Sequence, residues 1–147
     1  YLLPLALWLG AMIFFAGVVT PTAFRSLPKE VSSSFISEIF PPYYYFGYAC
    51  GALMLASTIL HQLVNKHLLV IKLVLVITML GCTLYAGQSI LPKAHTLKLE
   101  LKTVEDDPSA LAEQKRALFR KYHKTAVVLN LITISSGLVL LVRFALR

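Results

Sequence analysis

Two histidines and two carboxamides lie along the last two apolar runs of this chain, the histidines at one boundary and the carboxamides inside. His123, Asn130 and Gly137 are seven residues apart, which returns a helix almost to the same face and sets His123 and Asn130 ~10 Å apart along it. Upstream, Thr78, Cys82, Tyr85, Gln88, Pro92 and His95 recur at intervals of three and four. Polar groups inside a bilayer are expensive and normally face protein or water. The two stripes are therefore expected to face each other, with Arg25, Tyr43 and Tyr44 arriving at the same boundary. Together Arg25, Tyr43, Tyr44, Gln88, His95, His123 and Asn130 form a candidate polar pocket. Its chemistry is hydrogen bonding and charge recognition, suited to a small solute, a metal species or a lipid headgroup.

A resident metal or haem asks for more. Such a site needs several convergent ligands with their own supporting partners. His61 and His67 fall at the opposite boundary and cannot share an ion with His123. His95 and His123 come without a Cys-x-x-Cys pair or a second carboxylate, so no metal ligands are assigned. A haem- or metal-binding protein is the third reading. Signatures of catalysis are also missing: no glycine-rich phosphate loop, no Gly-x-Ser-x-Gly elbow, no His-Glu-x-x-His helix. Glu30, Glu38, Glu100 and Glu113 read as solvated. No catalytic residue is assigned, and the expectation is a non-enzymatic protein.

The elements that must position these groups follow from composition. Of 147 residues 57% are hydrophobic and only 14% charged, about half the charged share of a soluble protein. Four apolar runs, about 2–22, 43–64, 68–92 and 122–145, are each long enough to cross ~30 Å of hydrocarbon. The first exceeds the roughly 7–15 apolar residues of a signal-peptide core and reads as a span. The fold class is an all-α integral membrane protein: a single domain, 1–147, built as a four-transmembrane-helix bundle. Cys50 and Cys82 lie inside spans and read as buried thiols.

The net charge of +7 is unevenly placed. Arg25, Lys29, Lys93, Lys98, Lys102, Lys115, Arg116, Arg120, Lys121 and Lys124 flank loops one and three. Only Lys66, Lys72, Arg143 and Arg147 belong to the other side. The positive-inside rule then puts loops one and three in the cytosol and both termini opposite. These charges follow membrane boundaries, without the aromatic-interleaved stripe of a nucleic-acid binder. Lys72, about one turn into span three, snorkels to its own boundary.

Both loops have internal pattern. In "LPKEVSSSFISEIFPPYYYF", Pro28 suits a first helical position and Pro41 and Pro42 suit a stop. Leu27, Val31, Phe35 and Ile39 share one face and Glu30, Ser33 and Ser37 the other. That predicts a short interfacial helix, 28–40, lying in the headgroup layer, with Tyr43, Tyr44 and Tyr45 anchoring span two. In loop three, Ala94, Leu97, Leu101 and Val104 keep helical spacing. After Glu105, Asp106 and Asp107, Pro108 opens a second arm through Leu111, Leu118 and Tyr122. The result is an extended helical hairpin between spans three and four. Ala6, Gly10 and Gly17 in span one, and Gly47 and Gly51 in span two, would admit close helix neighbours. Internal packing is preferred over self-association.

"WLG" in span one, "FRSLP" leaving it, "IFPPYYYF" entering span two and "FRKYHKTAVVLN" opening span four resemble the transmembrane-protein-205-like family, in the same order. The matching positions are Trp8, Gly10, Pro21, Phe24, Arg25, Pro28, Phe40, Pro41, Tyr43, Tyr122, His123 and Asn130. The loop-three hairpin is shorter than in animal members. The resemblance implies a small four-span membrane protein and no particular reaction. Beyond the bilayer, the partners expected are a larger membrane complex or a second copy. The rival function is thus an accessory or scaffold subunit.

Overall fold

The computed structural model describes residues 1–65, 70–102 and 110–146. Lys66, His67, Val104, the acidic run Glu105 to Asp107, Pro108 and Arg147 lie outside them. Four helices are long and apolar enough to cross a membrane. Helix α1 comprises Leu2–Phe14, a π-helical turn Phe15–Val19, and Thr20–Ser26. Helix α2 is Lys29–Asn65. Helix α3 comprises Val70–Tyr85, a second π-helical turn Ala86–Ile90, and Leu91–Lys102. Helix α4 is Ala110–Ala145. Each helix packs on the next, and α1 closes the ring on α4.

Between lipid-embedded helices no hydrophobic driving force exists, so close packing must hold them together. Trp8 supplies the centre. Its indole is 2% exposed and lies across Gly47 and Gly51. A Cβ at Gly47 would come within 3.0 Å of Trp8 Nε1, and one at Gly51 within 3.2 Å of the ring. The core spreads from there through Leu5, Leu9, Met12, Cys50, Met54, Val76, Met79 and Leu140. Three buried threonine hydroxyls are satisfied within their own helices: Thr58 Oγ1 donates to the Met54 carbonyl at 2.8 Å, Thr83 to Met79 at 2.8 Å and Thr133 to Leu129 at 2.9 Å.

The small residues of α1 behave otherwise. Ala6, Gly10 and Gly17 are exposed, and a Cβ at Gly10 or Gly17 would meet nothing within 4 Å. The close approach expected on that face is absent, because α2 and α4 take the Leu5–Trp8–Leu9–Met12 face instead.

Both π turns end two residues before a proline, Pro21 and Pro92. A proline ring clashes with the carbonyl four residues earlier, here Gly17 and Gln88, and supplies no N–H to it. Widening the preceding turn relieves the clash. The wide bonds are present: Thr20 N–H donates to the Phe15 carbonyl and Leu91 N–H to that of Ala86. Kinks and wide turns of this kind have proline as their usual cause.

Pro41 and Pro42 do not end a helix. They sit inside α2, so 28–40 does not form a separate element, and its first three turns are continuous with span two. Ser32 is fully buried and Ile36 nearly so, while Val31 and Phe35 are exposed. The face carrying Ser32 and Ile36, flanked by half-buried Ser33 and Ser37, therefore turns to protein, and Val31 and Phe35 turn outward. The reason is a specific partner for the serines, described below.

Candidate functional site

Length sets the frame. Helix α4 has 36 residues, ~54 Å at 1.5 Å per residue, against ~30 Å of hydrocarbon. Its apolar part, from about 125 to 145, is by itself long enough for that thickness, and 110–124 is its charged remainder. Helix α2, with 37 residues, exceeds that thickness similarly. Two cross-links join the helices at this charged end. Lys98 Nζ on α3 donates to the Ser33 carbonyl at 2.7 Å and to Ser37 Oγ at 2.6 Å on α2. Lys115 Nζ on α4 pairs with Glu100 on α3 at 2.9 Å. Lys98 also explains the inward serine face: its ammonium needs acceptors, and Ser33 and Ser37, one turn apart, supply them.

Toward the membrane from this clamp lies an aromatic seam. Phe15, in the first π turn, stacks on Tyr43 at 5.0 Å and meets Phe40 edge-on at 5.5 Å. Tyr43 meets Tyr44 at 5.2 Å. Gly87, in the second π turn, lies against the Tyr44 ring and the Tyr48 hydroxyl, and the Tyr48 hydroxyl hydrogen-bonds the Gln88 side chain. Both π turns therefore border the same α2 aromatics. Three consecutive tyrosines cannot share one helix face at 100° per residue. Tyr44 is buried and Tyr43 half-buried, leaving Tyr45 the outward ring.

Of the seven pocket candidates, Tyr43, Tyr44 and Gln88 come together at this seam. Arg25, His95 and His123 are exposed, and Asn130 is half-buried. The expected facing of two polar stripes is not what the helices do. The inward face of α3 is Val76, Met79, Thr83, Ala86 and Ile90. Tyr85, Gln88, Pro92 and His95 are exposed, and Thr78 and Cys82 half-buried. On α4 the inward face is Thr133, Ser136, Gly137 and Leu140, and the seven-residue series grows more buried from His123 through Asn130 to Gly137. Within that stripe Thr78 has a partner on its own helix, Oγ1 donating to the Val74 carbonyl at 2.9 Å, and Gln88 is bonded to Tyr48 of α2. Lys72 is positioned by Tyr1, its Nζ 3.5 Å from that ring centre. Cys50 and Cys82 are free thiols. Among the described residues, no three His, Cys, Asp or Glu side chains could hold a metal ion together.

The sequence reading missed two features. Lys98 reads in the sequence as a boundary charge, and the structure gives it Ser33 and Ser37 as acceptors. The outward face of α4 at its membrane boundary forms a recess lined by Arg120, Lys121, Lys124, Thr125, Val128 and Leu129, cations spaced by three and four above an apolar run. Beside it, Arg120 bonds Glu113 at 2.9 Å. The hydrogen bond and charge of Arg120, with help from Arg116, hold the Glu113 carboxyl below the usual carboxylate range.

No curated protein and no solved structure matches the chain. The model of one family, described as a domain of unknown function, DUF4149, matches residues 3–103. That stretch takes in α1, α2 and α3, with the aromatic seam, both π turns and Lys98, and leaves α4 beyond it. Covering more than half of the sequence, the match makes this chain a member of the DUF4149 family.

Proposed function

We propose that this membrane protein works without catalysis, as an accessory or scaffold subunit that binds a larger membrane assembly through the protruding end of its bundle. The observation that supports this is the exposure of Val31 and Phe35, 51% and 45%, on a segment held at the level of Lys98. That level is beyond the apolar runs, where lipid tails do not cover such side chains. Phe24 and Leu99 are exposed near the same end. By the placement of basic residues this end is cytosolic. The resemblance to the transmembrane-protein-205-like family belongs to the same proposal and adds no reaction to it.

The test is site-specific photo-crosslinking from Phe35 in intact membranes, followed by mild solubilisation and native electrophoresis. A discrete heterologous adduct, lost when Val31 is changed to Glu and missing when the probe replaces His61, is the expected result. Migration only as a monomer or homodimer, with adducts to lipid alone, overturns the reading.

A second reading is a small-solute pocket at the same boundary, favoured by the Tyr48–Gln88 hydrogen bond beside a π turn, a feature frequent at functional positions. Its distinguishing result is loss of solute handling in Gln88→Leu with assembly intact.

A further inference from the structure

The recess on α4 has a volume of about 490 Å³. Its lining belongs to one helix, so it opens sideways to the surroundings rather than inward to the bundle. It lies where the charged part of α4 gives way to the apolar part. Lys121, Thr125 and Val128 follow one another along a face, flanked by Lys124 and Leu129. Lys121, Lys124 and Val128 are exposed, and Thr125 and Leu129 half-buried.

We propose that this recess binds the phosphate headgroup of an anionic phospholipid, with Lys121 and Lys124 on the phosphate and Val128 and Leu129 against the first methylenes of its acyl chain. Charge carries the first half. Arg120 shares its charge with Glu113, but among the described residues neither Lys121 nor Lys124 pairs with a carboxylate. Thr125 Oγ1 donates to the Lys121 carbonyl at 3.0 Å, which leaves the two ammonium groups, with the N–H groups of Arg120 not given to Glu113, as the donors for an anion. Shape carries the second half. A soluble phosphate would use the cations and leave Val128 and Leu129 idle, whereas a lipid is polar at one end and apolar at the other, in the recess's own order along the membrane normal. Basic groups at this depth attract anionic lipid. This site is independent of the partner reading, since it lies on α4, away from Val31 and Phe35.

The test is native mass spectrometry of the full chain released from micelles holding equal amounts of phosphatidylglycerol and phosphatidylcholine. Selective retention of phosphatidylglycerol is expected, reduced roughly fivefold by Lys121→Gln and again by Lys124→Gln, the worth of one near-surface cation each. Lys29→Gln, a basic position on α2, leaves retention unchanged, and the paired substitution K121R/K124R keeps it. Millimolar inorganic phosphate does not displace the lipid. Because each single variant is informative, the result does not require the doubly neutralised protein to fold, and emission of the single tryptophan, Trp8, checks the fold of each. Equal retention of the two lipids, undiminished binding in both single variants, or displacement by free phosphate overturns the proposal.

Discussion

Lys98 Nζ lies 2.6 Å from Ser37 Oγ and bonds the Ser33 carbonyl as well, so one ammonium on α3 holds the first turns of α2 upright. Ser37 Oγ itself donates to the same Ser33 carbonyl at 2.8 Å, making a closed triangle one turn before Pro41. Val31 and Phe35 are exposed on the same turns.

Lys98→Met should free this segment. Hydrogen bonds to charged groups are worth about 1.5–3 kcal/mol, so amide exchange across 29–37 should rise roughly tenfold or more, with little change at 47–58. Hydrogen-exchange mass spectrometry reads this directly. Unchanged protection would mean that continuity with α2 alone holds the segment.

The glycines divide into two groups with opposite expected behaviour. Gly51→Ala puts a Cβ 2.7 Å from Leu80 Cδ1 and 3.2 Å from the Trp8 ring. Leu80 can swing aside but the indole cannot, and overpacking of this kind costs about 1–3 kcal/mol. Gly10→Ala and Gly17→Ala meet open space and should be neutral or stabilising by up to ~1 kcal/mol, the helix preference of Ala over Gly. Thermal unfolding in a fixed detergent separates the groups. A Gly10→Ala loss comparable to that of Gly51→Ala would reveal a partner on the outward face of α1.

The placement of basic residues predicts which end faces the cytosol. In a background with Cys50 and Cys82 replaced by Ala, a cysteine at the exposed position Ser34 should react with an impermeant maleimide only after the cytosolic face is opened. One at His61, exposed at the other end, should react from outside. The reverse pattern would invert the orientation drawn from the basic residues.

Glu113 gives a small pH signature at the protruding end. Its folded carboxyl titrates below the unfolded value because Arg120 and Arg116 face it. The contribution is therefore present above the ordinary carboxylate range and lost as pH falls through the lowered folded value. Wild type and Glu113→Gln should differ slightly in Tm at pH 7 and converge on acidification. A difference that grows toward acid would contradict the pairing. Exposure of the group keeps the effect small.

Four long apolar helices with basic residues at their ends were legible in the sequence, because apolar length and charge are properties of one helix at a time. Gly47 and Gly51 were legible as packing positions for the same local reason. Which face of each helix turns inward depended on its neighbours. Several faces of each helix are apolar enough to be buried, so close packing and specific acceptors choose among them. Trp8 took Gly47 and Gly51 and left Gly10 facing out. Lys98 drew Ser33 and Ser37 inward and turned Val31 and Phe35 outward. Thr78 found a partner on its own helix, and with Val76 and Met79 filling the core the α3 stripe did not face α4. Pro41 and Pro42, stop signals when read locally, became interior to α2 because the helix continued on either side of them.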